Sequence, residues 1–144
     1  MATRISHSAE ETFQLGVELA GTATRGLVFG LTGDLGSGKT QLVKGLAHGL
    51  GIRTRLQSPT FSLVHEYHDG SLPLFHLDLY RLESSHQIVA AGLEEYFTPR
   101  DGIAVIEWFE RWEGPPPPRL CRIQLRHEGE NSRRIEILHE PARD

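Results

Sequence analysis

Residues 33–40 read Gly33-Asp34-Leu35-Gly36-Ser37-Gly38-Lys39-Thr40, with the spacing G-x-x-x-x-G-K-[ST]. Glycines at these intervals let successive backbone N–H groups turn toward one point with no Cβ in the way, and a following helix N-terminus adds partial positive charge there. The chemistry is the binding of a phosphate chain. Lys39 reaches the β- and γ-phosphates, and the Thr40 hydroxyl is a ligand for Mg2+. The expected nucleotide-binding set is Gly33, Asp34, Leu35, Gly36, Ser37, Gly38, Lys39 and Thr40, with Gln41 directly after. A glycine-rich turn before a helix is the alternative, and the flanks argue against it. Leu27-Val28-Phe29-Gly30-Leu31 is the apolar run of a buried strand, and Leu42, Val43, Leu46, Ala47 and Leu50 form one face of a helix.

A triphosphate site needs a further acid near the metal, usually at the end of a neighbouring apolar strand. Glu107 closes the run Gly102-Ile103-Ala104-Val105-Ile106 and is the candidate to hold Mg2+, directly or through water. A strand-end carboxylate facing solvent is the alternative. Trp108 reads as a core or rim aromatic. Asp78 lies in His76-Leu77-Asp78-Leu79-Tyr80-Arg81, where alternation puts His76, Asp78 and Tyr80 on one face. Aspartate is disfavoured in strands. Asp78 therefore orients a water, holds metal-bound waters, pairs with Arg81, or belongs to a structural ion pair. Ser58-Pro59-Thr60-Phe61 reads equally as a γ-phosphate-sensing segment, with Thr60 reaching the phosphate or metal, and as a turn entering a strand. The catalytic candidates are thus Asp78, Glu107 and Thr60, and the metal ligands Thr40 and Glu107. His65, His68 and His86 are scattered singly, with no zinc-type Cys/His spacing.

A guanine-reading Asn/Thr-Lys-x-Asp element is absent. The only lysines are Lys39 and Lys44, and Lys44 is followed by Gly45-Leu46, so ATP is the expected nucleotide. A small-molecule kinase, with residues 81–101 as a short lid, is the other reading.

The surrounding elements follow from pattern. Ser8 with Glu11 makes a capping box, so a helix is expected over 9–20. A helix over 39–50 ends at Gly51. Residues 61–67 and 74–80 read as a hairpin turning at Asp69-Gly70. Residues 85–92 read as a helix and 93–97 as a second short one. Pro115-Pro116-Pro117-Pro118 is a stiff connector, and 121–126 with 134–138 alternate as a terminal hairpin through the polar turn 128–132. The expected fold is α/β: a P-loop NTPase-like core sheet with flanking helices and a C-terminal β-hairpin, one domain over 1–144. A net charge of −4 argues against gripping nucleic acid by bulk electrostatics, and one cysteine, Cys121, excludes an internal disulfide. No apolar run approaches a membrane span, and the start Met1-Ala2-Thr3-Arg4-Ile5-Ser6-His7 lacks a signal-peptide core, so a cytoplasmic location is expected.

The phosphate loop, Ser58-Pro59-Thr60-Phe61, His76-Leu77-Asp78-Leu79-Tyr80-Arg81, Gly92-Leu93-Glu94-Glu95-Tyr96-Phe97 and Ile106-Glu107-Trp108 together resemble, in order and spacing, the TsaE (YjeE) family. The resemblance runs over about residues 8–112. It implies a bacterial ATPase needed to form tRNA N6-threonylcarbamoyladenosine (t6A). Such a protein binds ATP and Mg2+ and works with the TsaD–TsaB complex, which carries the transferase chemistry. The resemblance further implies slow hydrolysis that resets that complex, contact with tRNA only through it, no membrane, and a monomer when alone. Carried over by motif position, Thr40 and Glu107 hold Mg2+, Thr60 and Asp78 serve hydrolysis or switching, and Thr12 approaches the nucleotide. His65-Glu66-Tyr67-His68-Asp69 departs from the pattern in its histidines, which bears on the surface of the hairpin.

Overall fold

The computed structural model describes residues 2–33, 37–57 and 63–139. In chain order the elements are β1 (Ala2–Ser6), α1 (Ala9–Thr22), β2 (Val28–Gly33), α2 (Lys39–Gly49), β3 (Val64–Tyr67), β4 (Leu74–Asp78), α3 (Ser85–Ala90), β5 (Ile103–Glu107), β6 (Leu120–His127) and β7 (Arg133–His139), with short 3-10 helices at Leu93–Phe97 and Phe109–Arg111. The strands form one seven-stranded sheet in the order β1-β7-β6-β2-β5-β4-β3. Its centre, β6-β2-β5-β4, is parallel, whereas β3, β7 and β1 pair antiparallel at the two sides. This is the α/β, P-loop NTPase-like architecture with a C-terminal hairpin.

The central strand β2 is apolar and buried from Val28 to Leu31 because both faces of the sheet are covered there. Phe29 and Leu31 pack beneath α1 and α2, while Val28 joins Ile88, Leu93, Phe97 and Phe109 on the opposite face. Gly30 leaves room for that second layer, since a Cβ there would stand 2.7 Å from the Phe109 ring. Ser8 caps α1 by accepting the Glu11 N–H at 3.1 Å, and the Glu11 carboxylate returns to the His7 N–H at 3.0 Å. The two long helices then meet backbone to backbone. A Cβ on Gly16 would overlap the Leu42 carbonyl oxygen, one on Gly45 the Phe13 carbonyl oxygen, and one on Gly49 would lie 2.5 Å from the Ala20 Cβ. This contact fixes where the start of α2 sits above the sheet.

Some elements depart from the sequence pattern. β1 was unforeseen: its side chains are exposed up to Ser6, and it exists as a strand because β7 offers it an edge, with Ala2 opposite Ile137 and Ser6 opposite Arg133. β4 stops at Asp78, because the Asp78 carboxylate accepts the Tyr80 N–H at 2.9 Å and turns the chain. Tyr80 therefore leaves the face shared by His76 and Asp78 and is 48% exposed. β3 begins at Val64, and the earlier part of its expected range, 61–62, lies outside the described residues. Among the described residues no helix is long and apolar enough to cross a membrane.

Candidate functional site

Strands β2, β4 and β5 run parallel and end at one edge of the sheet, where α2 begins. Their register sets Glu107 beside both Leu31 and Asp78. The carboxyl ends of parallel strands are where open α/β sheets bind ligands. A cavity of about 690 Å3 opens there, lined by Gly38, Lys39, Thr40 and Gln41 from the start of α2 and by Asp78 and Glu107 from the strand ends. That volume suits a nucleotide-sized ligand.

The start of α2 has a geometry that could receive an anion. Its capping residue, Gly38, has φ 104° and no side chain, so the cap itself offers the first-turn N–H groups no side-chain acceptor. Gly33 sits at φ 143°, a backbone that residues with a Cβ rarely adopt, and a Cβ there would strike the Leu125 carbonyl oxygen. The Ser37 hydroxyl is buried with no hydrogen-bond partner among the described residues, an unmet polar group that a phosphate oxygen would satisfy. Lys39 is buried, donates from Nζ to the Gly33 carbonyl oxygen, and places its ammonium 3.9 Å from the centre of the Trp108 ring. Trp108, at φ 59°, is the one non-glycine residue among those described that adopts a left-handed backbone. Such conformations cluster at functional sites. The Tyr80 ring, 5.0 Å away, backs it. Trp108 is thus the rim aromatic of the cavity. Asp34, Leu35 and Gly36 lie outside the described residues, and so does Thr60.

The acids occupy different surroundings. The Glu107 side chain is only 12% exposed, and its Oε2 lies 2.6 Å from His76 Nε2, whose side chain is 6% exposed. This excludes the solvent-facing alternative. Burial pushes the Asp78 carboxyl above the ordinary carboxylate range; the Tyr80 N–H opposes this, the Glu107 charge adds to it, and His76 and Lys39 oppose it in turn. A second cavity of about 50 Å3 touches Thr40, Gln57, His76 and Glu107 and is roomy enough for a water. A hydroxyl and a carboxylate facing one space are hard oxygen donors that fit Mg2+. Among the described residues no cluster of three His, Cys, Asp or Glu could hold a metal, so such an ion would draw most of its ligands from phosphate and water, the usual habit of Mg2+.

Thr12 lines the larger cavity, but its hydroxyl is engaged within the protein, 2.7 Å from the Ser6 hydroxyl and 3.3 Å from the Ser8 carbonyl oxygen. The pattern reading missed the far wall. His7, Asn131 and Arg133 stand there, and His7 Nδ1, 3.2 Å from the Ser132 hydroxyl, ties the β1–α1 junction to the β6–β7 turn. Nothing local marks these residues, because the contact joins segments at opposite ends of the sequence. Residues 81–101 make no lid: Ile88, Leu93 and Phe97 anchor them in the core on the other face of the sheet.

A family model described as "Threonylcarbamoyl adenosine biosynthesis protein TsaE" matches residues 6–135. The tRNA threonylcarbamoyladenosine biosynthesis protein TsaE of Nostoc sp. is 45% identical over 131 residues, covering 89% of this chain and 80% of that protein. Its counterpart in Treponema pallidum is 41% identical over 135 residues, covering 92% and 97%. The crystal structure of Bacillus subtilis YdiB superposes with a TM-score of 0.76 at 37% identity, covering 93% of this chain and 82% of that one.

Proposed function

The chain belongs to the TsaE family, which serves tRNA threonylcarbamoyladenosine biosynthesis, and from that premise we propose that it is a slow P-loop ATPase. It binds ATP with Mg2+, acts in the cytoplasm with the TsaD–TsaB complex, and meets tRNA through that complex. One observation carries the reading: the phosphate-loop residues Gly38 to Thr40 share a single nucleotide-sized cavity with two strand-end carboxylates, Asp78 and Glu107.

In this reading the open N–H groups at the start of α2 hold the phosphates, and Lys39 exchanges the Gly33 carbonyl for phosphate oxygens. Mg2+, when bound, neutralises charge on the β- and γ-phosphates, and Thr40 and Glu107 are the residues that hold it. Hydrolysis joins a water oxygen to the γ-phosphorus and breaks its bond to the bridging oxygen, releasing ADP and phosphate. The water must give up a proton. In this reading Asp78 takes it, which its position on the cavity wall and its carboxyl pKa, raised by burial, support. Thr60 joins this set as a γ-phosphate sensor on the strength of its motif alone.

A reconstituted t6A assay with TsaD–TsaB, run beside single-turnover ADP formation, tests the proposal. Wild type is expected to be required for modification and to form ADP. Lys39→Ala should lose ATP affinity, and Asp78→Ala should keep it while slowing ADP formation by about 100-fold or more. A wild-type protein that neither binds ATP nor supports modification refutes the reading.

A further inference from the structure

We propose that His76 is a positioning residue for Glu107: it holds Oε2 of that carboxylate and leaves Oε1 as the oxygen available to a divalent cation beside Thr40. The proposal rests on the nucleotide-site reading above.

His76 sits in β4 opposite Val105 of β5, two residues before Asp78, on the same face of the sheet. An imidazole buried this deeply needs a reason, because its polar atoms lose water. Only one nitrogen recovers a partner. Nδ1 is buried with no hydrogen bond among the described residues, whereas Nε2 makes the 2.6 Å contact to Glu107. The ionised carboxylate can only accept, so the imidazole Nε2–H donates. An aliphatic side chain would fill the space without an orphaned nitrogen, so packing alone does not account for a histidine here. Glutamate, by contrast, is long and loses much rotamer freedom when it must meet a ligand in one orientation. A donor fixed in the sheet removes that freedom before the ligand arrives, as second-layer partners do for metal-binding side chains. The 50 Å3 cavity supports the assignment, since His76, Glu107 and Thr40 all touch it.

The test is Mg2+ dependence of binding for a non-hydrolysable ATP analogue, measured by calorimetry on the full chain. His76→Ala should raise the half-saturating Mg2+ concentration about tenfold or more while leaving affinity in EDTA unchanged. His76→Gln, whose side-chain amide can place a donor where Nε2 stood, should recover most of the loss. The metal-free protein gives a second readout: nitrogen-15 NMR should show a protected proton on His76 Nε2 whose shift moves in Glu107→Gln. An Ala variant with wild-type Mg2+ dependence overturns the proposal. So does a Gln variant as impaired as Ala, or a proton found on Nδ1 alone. Should His76→Ala not fold, the Gln variant and the NMR readout still decide. A wild-type protein with no Mg2+-dependent nucleotide binding refutes the functional reading instead, and the NMR result then separately decides whether His76 holds Glu107.

Discussion

Asp78 shows how burial and function pull against each other within one side chain. Its raised folded-state pKa means that the native protein binds this proton more tightly than the unfolded chain does, chiefly because burial penalises the charge. Stability from this group is therefore greatest below the ordinary carboxylate pKa and falls as pH rises through the raised value. Asp78→Asn keeps an acceptor for the Tyr80 N–H and removes the half-buried charge. Thermal unfolding of the nucleotide-free variant should show a higher Tm than wild type at pH 7, with the difference vanishing as pH drops to about 4. A wild-type advantage at pH 7 would contradict the assignment. The acids themselves were legible in the sequence, since a carboxylate that closes an apolar run is costly there unless a charge or ligand meets it. Trp108 was half legible: its letter announces an aromatic, but nothing in it announces a left-handed backbone or a lysine parked on its ring.

Among the elements, the α1–α2 contact positions the start of α2, and three glycines make that contact possible. Gly45→Ala would drive a methyl into the Phe13 carbonyl, which backbone must relieve. Urea unfolding should show a loss of at least about 2 kcal/mol, in the range for overpacked sites. Gly21→Ala, in α1 but with open space around it, is the matched control and should stabilise by roughly 0.5–1 kcal/mol through helix propensity. Helical periodicity revealed both helices from sequence, and capping residues placed the first turn of α1. Periodicity cannot reveal which glycines touch, because that depends on how two helices cross. β1 was illegible for a related reason: its residues hold no burial pattern, and only its neighbour makes it a strand.

At the scale of the whole molecule, the cavity is closed by parts that are distant in sequence, so nucleotide should brace the entire sheet. With MgATP at 100 times its dissociation constant, linkage predicts about 2.7 kcal/mol of added stability. For a chain of this size that is a Tm rise of roughly 5–10 °C, readable by scanning fluorimetry. Arg133→Ala, which alters the hairpin wall and not the phosphate loop, should reduce that rise while leaving the nucleotide-free Tm within about 1 °C. An unchanged rise would mean that the hairpin does not touch the nucleotide. The pairing of residues 2–6 with 133–137 carries a consequence for how the protein comes into being. On the ribosome, β1 emerges well before β7 and has to wait for it, on the order of ten seconds at ordinary elongation rates. Throughout that interval Gly38 to Gln41 lack the wall that Asn131 and Arg133 provide. The cavity is therefore complete only once the β6–β7 hairpin has been made, and a translational pause before β7 would leave a chain that carries the residues of the start of α2 but lacks the wall of Asn131 and Arg133.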